Sequence, residues 1–256
     1  MHTKTLNIGN ENIDRVSSAN NIGFWFDENT KCKVKVSHIC RLAWMHLRNI
    51  AKIRNYLIYK DTAQLIHSFI TNKLDSNNSL LYGIDAYLIQ KLQNIQIAAA
   101  KLSTRTKSHS NINDFELLKT LHWLPVSYRI TYKTALLTFK CLRGEAPEYL
   151  SQLLKEYIPS RDLRSAKSKL LIKPNINTEI GRRAFCYAAP EIWETIPVQL
   201  KESKSTKIFK SKLKTHFFQK CFAFWKKCVF SLDLNILVDF DSFSWTGIVS
   251  QISGAA

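Results

Sequence analysis

The stretch LHWLPVSYRITYKTALLTFKCLRGEAPEYLS, residues 121–151, carries the strongest local structure signals of the chain. Its Trp-Leu-Pro corner ends at Pro125, and proline suits a helix start because its missing N–H would have no partner there. Apolar residues then recur at helical spacing up to Gly144, which is placed as the C-terminal cap. Pro147 opens another short helix toward residue 157. The stretch therefore predicts a corner and two helices, with Trp123 and the two prolines in structural roles.

Helical periodicity also precedes this corner. From about Ser37, apolar residues recur at spacings of three, four and seven, which predicts an amphipathic helix. Asp61 and Gln64 form a capping-box pattern for a second helix, and Asp85 can cap a third. Along the third helix an apolar seam spans two heptads, which is short for a free-standing coiled coil and favours packing inside the molecule. The seam comprises Leu88, Leu92, Ile95, Ala99 and Leu102.

Both ends of the chain differ from this helical centre. Short strands are predicted near the N-terminus, where Gly9 and Asn10 suit a hairpin turn. After Pro159, residues 170–172 and 183–187 are interpreted as short strands, followed by a helix anchored by Trp193 and a final helix capped by Ser205 or Thr206. We predict a mainly α fold, a helical bundle with short N-terminal strands and a small α+β C-terminal region. The predicted divisions are residues 1–35, 36–158, 159–228 and an unassigned tail, 229–256.

Composition narrows the classes of function. The net charge of +17 favours nucleic acid or an anionic membrane surface as partner. Hydrophobic residues make up 45% of the chain, which argues against wholesale disorder. The six cysteines show no CxxC spacing and no apolar signal segment opens the chain, so we expect an intracellular protein of the nucleus or cytoplasm. No membrane span, metal site or catalytic constellation is predicted.

Positive charge is densest near the C-terminus, where residues 201–227 contain nine lysines and one acid, Glu202. Lys207, Lys210 and Lys214 recur at spacings of three and four and share a helix face that suits sequence-blind phosphate binding. A solvated face or a membrane-surface helix would show the same lysine pattern, and we favour the nucleic-acid interpretation. Aromatic residues between 217 and 225 could stack on bases, but we favour core packing for them.

Several blocks of sequence, in collinear order over roughly residues 7 to 222, resemble the region after the palm of LINE-type, non-LTR retrotransposon reverse transcriptases of the jockey-like group. They include VSSANNIGFWFD at 16–27, HLRNIAKIR at 46–54 and GRRAF at 181–185. The further blocks are 80–83, 92–96, 98–102, the corner stretch 121–151, 188–190 and 192–197. The resemblance implies that residues 1–35 are a remnant of the end of the palm, and that 36–158 form a helical thumb-like domain.

The family's polymerase chemistry depends on palm carboxylates that hold two metal ions, partly in a Tyr-x-Asp-Asp hairpin. This chain contains no Asp-Asp pair. The resemblance therefore implies a fragment that is no enzyme on its own and needs no cofactor, since Mg²⁺ would belong to an intact polymerase. The implied partners are RNA or RNA–DNA hybrid and the missing polymerase portion.

In an intact enzyme of this family the thumb binds the template–primer backbone. In this chain we expect the basic faces of the helices to make those contacts. The expected electrostatic contacts are Arg48, Lys52, Arg54, Lys101, Arg105, Lys107, Lys207, Lys210 and Lys214. For Lys101, Arg105 and Lys107, a favourable interaction with the end of the helix dipole is an equal interpretation. Two alternatives to nucleic-acid binding stay open: a non-enzymatic helical module that binds a protein, and a decayed retroelement remnant.

Overall fold

A computed structural model describes residues 6–9, 11–14, 16–106, 113–157 and 169–232, with backbone alone for 6, 8, 11–13 and 224–232. The predicted mainly α fold is confirmed, with short antiparallel strands near the N-terminus. The strands are β1 Leu6–Ile8, β2 Glu11–Ile13, β3 Ser18–Asn21 and β4 Phe24–Asp27. The helices are α1 Lys33–Ile53, α2 Tyr59–Ile66, α3 Asn72–Asp75, α4 Ala86–Thr104, α5 Asp114–Thr120, α6 Val126–Leu142, α7 Glu148–Ser151, α8 Glu179–Arg182, α9 Phe185–Glu194, α10 Val198–Lys201 and α11 Thr206–Leu232.

The four strands form two separate hairpins. β1 and β2 pair antiparallel with Ile8 opposite Glu11, so the two-residue turn falls where the sequence predicted it. β3 and β4 turn at Ile22 and Gly23, whose φ angles of +48° and +77° match the left-handed turns that join twisted strands. Phe24 of β4 is buried and joins the helical core, which fixes the second hairpin against α1.

Helix α1 begins at Lys33, before the predicted start near Ser37. The carboxylate of Asp27, at the end of β4, accepts hydrogen bonds from the backbone N–H groups of Cys32 and Lys33, both at 3.0 Å. These bonds satisfy N–H groups of the first turn that have no partner within the helix. The residue that caps the helix thus comes from the strand, which local spacing does not show.

Helices α1 and α4 pack against each other and form most of the main core. The heptad seam of α4 lies inside this core as expected, with Leu102 only partly buried and the other four residues buried. Helix α2 continues through a π-helical segment, His67–Thr71, into α3. It begins at Tyr59, so Asp61 lies within its first turn and the predicted capping role of Asp61 is wrong.

Two buried glutamines of α4 hold the proline corner. The side-chain Nε2 of Gln96 donates to the carbonyl oxygen of Leu124 at 2.8 Å, and the backbone N–H of Val126 donates to Oε1 of Gln93 at 2.9 Å. These bonds give partners to the backbone carbonyl before Pro125 and to the backbone N–H after it, and Pro125 immediately precedes α6. The corner and the start of α6 are therefore tied to α4 by polar bonds in the core.

Helix α6 ends in a left-handed turn at Gly144, whose φ is +69°. The N–H of Glu145 donates to the carbonyl of Lys140 at 2.9 Å and the N–H of Gly144 to that of Cys141 at 3.2 Å. This pair of bonds is the Schellman motif, which satisfies the last carbonyls of a helix. The helix that follows Pro147 is shorter than predicted and ends at Ser151.

A second apolar cluster joins α6 to α9 and α11. The rings of Phe139 and Phe209 stack with centroids 3.9 Å apart, and buried Trp193 lies beside them. The strand predicted at 183–187 is wrong, because its apolar residues belong to the start of α9 and pack toward α6. The strand predicted at 170–172 reduces to a single bridge between Leu171 and Glu156.

The predicted division near residue 158 falls beside residues outside the described part of the chain, so it stays a prediction. Of the predicted tail, residues 229–232 continue α11, and the remainder lies beyond the described residues.

We expect Gln93→Met to lower the free energy of unfolding by about 1–3 kcal/mol, because the buried N–H of Val126 loses its acceptor. Urea denaturation followed by circular dichroism measures this change. Gln90→Met is the matched control, since Gln90 bonds only to exposed Asn94 on the same helix. Equal midpoints for both variants would contradict the role of Gln93.

Candidate nucleic-acid interface

Helix α11 contains seven lysines and no Asp or Glu. Its apolar residues face the core, where Phe209, Leu213 and Phe217 are buried. The lysines with described side chains are exposed, and within the described part of the chain none forms an ion pair. They are Lys207, Lys210, Lys212, Lys214 and Lys220. Exposed Lys204 lies just before the helix.

Local bonds and packing set the orientation of this helix. The hydroxyl of Ser205 accepts from the backbone N–H of Ile208 at 3.3 Å, which makes it the predicted N-terminal cap. Tyr132 of α6 donates its hydroxyl to the carbonyl oxygen of Lys210 at 3.4 Å. Because Phe209 is held in the second cluster, the lysines on the other side of the helix are directed to solvent.

The aromatics near the end of α11 belong to the core as far as they are described. Phe217 and Phe222 are buried, and Phe218 packs partly buried between the clusters. The preferred interpretation as core residues is confirmed for Phe217 and Phe222, whose rings are inaccessible to a stacking base. The side chains of residues 224 and 225 lie outside the described set.

The expected contacts at the ends of α1 and α4 fall into different environments. Arg48 and Lys52 are exposed on α1. Lys101 is half-buried, and its Nζ lies 2.9 Å from a carboxylate oxygen of Asp114, so its charge is already paired. Arg105 is exposed directly after α4 in the left-handed conformation, with a φ of +56°. Lys107 lies outside the described residues.

Arg54 is buried and completes the C-terminal end of α4. Its Nε donates to the carbonyl of Leu102 at 3.0 Å and its Nη2 to that of Ser103 at 3.0 Å, while Nη1 donates to Leu57 at 2.9 Å. The guanidinium thus occupies carbonyls that have no partner within the helix, at the negative end of the helix dipole. Burial, together with the nearby guanidinium of Arg105, lowers the pKa of Arg54. Spacing alone placed Arg54 with the surface cations, because its burial depends on a distant helix end.

His216 of α11 adds little positive charge near neutral pH. Burial lowers the pKa of His216, and the charge of Lys220 lowers it further. Burial likewise lowers the pKa of His38, on α1, with smaller contributions from nearby cations. The positive charge of α11 therefore rests on its lysines.

Within the described part of the chain, no cluster of three or more His, Cys, Asp or Glu residues suits a metal ion. None of the helices described there combines the length and the apolar character that crossing a bilayer requires.

No protein-family model, curated protein or solved structure matches this chain. The resemblance to LINE-type reverse transcriptases therefore rests on the residues quoted above.

We expect Arg54→Lys to lower the free energy of unfolding by about 1–3 kcal/mol, because a lysine cannot reproduce three directed bonds to carbonyls of two elements. Chemical denaturation gives the value. Arg48→Lys, at an exposed position on α1, is the control and should change stability by less than about 0.5 kcal/mol. A loss no larger than in this control would refute the capping role of Arg54.

Acid should destabilise the protein partly through His216. Its folded pKa is lower than the unfolded value near 6.5, so the unfolded state takes up the proton first as the pH falls. That contribution to stability is present above about pH 6.5 and is lost below it. The shift in urea midpoint between pH 7.5 and pH 5.5 should therefore be smaller in His216→Gln than in the unaltered chain. An identical shift in both proteins would exclude this contribution.

Proposed function

We propose that this chain is the post-palm, C-terminal part of a LINE-type reverse transcriptase, and that it binds RNA or RNA–DNA hybrid without polymerising. The observation that carries the proposal is α11, an acid-free helix with buried aromatics and exposed lysines. A helix that exposes several lysines and contains no acid attracts the phosphate backbone, and its lysines neutralise phosphate charges with release of counterions. Sequence preference is not expected, because phosphate contacts carry no base information.

The chemistry of polymerisation belongs, in this proposal, to a missing polymerase portion that carries the palm and its Mg²⁺. That portion is a second proposed partner. The nucleus or cytoplasm is the proposed location, as retroelement RNA and its copies occur there. In this proposal the chain itself binds the nucleic acid.

A helical protein-interaction module is the alternative, and one observation favours it. Large apolar side chains between Ile53 and Tyr59 are exposed, including Tyr56 at 89% and Ile58 at 64%. Exposed apolar groups in sequence favour contact with another molecule. The salt dependence of binding distinguishes the two functions. Affinity for phosphate falls steeply as the salt concentration rises, whereas affinity from burial of apolar surface does not.

We expect replacement of Lys207, Lys210 and Lys214 together by glutamine to weaken binding of a single-stranded RNA and to flatten its salt dependence. On a single strand each neutralised phosphate contributes about 0.7 to the slope of log K against log salt, so the slope should fall by about two. Fluorescence anisotropy of a labelled oligonucleotide at several salt concentrations measures both quantities.

A variant with Lys60, Lys91 and Lys133 replaced by glutamine serves as the control. It loses the same net charge from exposed positions on other helices and should keep the original slope. Equal losses in the two triple variants would show that only total charge matters, which would overturn the α11 interface.

A further inference from the structure

An open pocket of about 540 Å³ separates the segment Arg54–Tyr59 from the C-terminal end of α4. Its lining residues include two arginines, two tyrosines, a serine and a threonine, and they contain no Asp or Glu. Pockets for small ligands in proteins commonly have volumes of about 300–1,000 Å³. The pocket is therefore large enough for a ligand of nucleotide size, and its charged lining residues all have one sign.

Two guanidinium groups lie at this pocket without a carboxylate partner. Arg54 donates its hydrogen bonds to backbone carbonyl oxygens. Arg105 is exposed, and its Nη2 reaches the carbonyls of Arg54 and Leu57 only at 3.4 Å. Among the described residues neither arginine forms an ion pair, and the remaining nitrogens of Arg105 make no hydrogen bond. A phosphate would relieve the repulsion between these cations and accept paired bonds from the guanidinium of Arg105.

A further feature of the pocket fits the base of a nucleotide. Tyr56 and Tyr59 line the pocket and are exposed at 89% and 55%, and exposed aromatic rings are the usual platform for an unpaired base.

We propose that this pocket binds a single unpaired nucleotide, with its phosphate on Arg105 and its base stacked on Tyr56 or Tyr59. The inference rests on the proposed function in taking the ligand to be a nucleotide. Its residues are separate from the lysines of α11, so the two sites can be tested independently.

The full chain is titrated at low ionic strength with adenosine monophosphate, inorganic phosphate and adenosine, and the amide signals of pocket residues are followed by NMR. Adenosine monophosphate should bind with saturation and more tightly than either of its parts. Arg105→Gly should weaken its binding about tenfold or more, the loss of a charged hydrogen-bonding partner. Because glycine adopts the φ of +56° without strain, this variant should fold at least as stably as the unaltered chain.

Tyr56→Ala should weaken binding of adenosine monophosphate and leave that of inorganic phosphate unchanged. Arg41→Gln, at an exposed position on α1 outside the pocket, is the matched control and should bind all three probes as before. Chemical-shift changes that do not saturate would overturn the proposed nucleotide site. So would an Arg105→Gly variant that binds adenosine monophosphate as tightly as the unaltered chain.

The triple glutamine variant of α11 distinguishes the two proposals. If it loses RNA affinity but keeps affinity for adenosine monophosphate, both sites stand. If its RNA affinity is unchanged while the pocket variants lose the mononucleotide, the α11 interface fails and the pocket stands.

Discussion

The arrangement of this fold depends on two hydrogen bonds buried between α4 and the proline corner. Gln96 occupies the carbonyl of Leu124 and Gln93 accepts from the N–H of Val126, so the backbone polar groups on both sides of Pro125 have partners inside the core. A buried backbone group without a partner costs about 1–3 kcal/mol, whereas each bond alone contributes less. The two glutamines therefore act mainly by fixing the residue at which α6 starts and the direction in which it leaves the corner.

That direction decides what the C-terminal helices display. Residues next to the corner join the main core, and one face of α6 carries the second cluster through Phe139. Phe209 stacks on Phe139, and this contact holds α11 with its apolar side inward. The exposed lysines are thus placed through a chain of packing that begins at the corner. A change at Gln93 would act on the lysine surface only by loosening this packing.

The sequence was most informative where a structure depends on neighbouring residues. Gly144 ends α6 as predicted, and Ser205, one of the two predicted caps, starts α11, both through bonds within a few positions. Distant contacts were missed. Asp27 caps α1 from a strand, and Arg54 is buried because it meets the end of α4, 48 residues away. The short apolar run at Phe185 was predicted as a strand, because a run of this length does not by itself distinguish a strand from a buried helix; in the fold it begins α9 and packs toward α6.

Two groups of cations in this chain have opposite relations to solvent. Arg54 and Lys35 are buried and donate to backbone carbonyls, so their charge completes the ends of helices and turns. The lysines of α11 are exposed, and their helix contains no acid, so they repel one another in the folded state. A polyanion that binds only the folded chain would remove this repulsion and stabilise the fold by mass action. Folding and nucleic-acid binding are therefore linked in the proposed function, and the same surplus charge that weakens the isolated protein strengthens its complex.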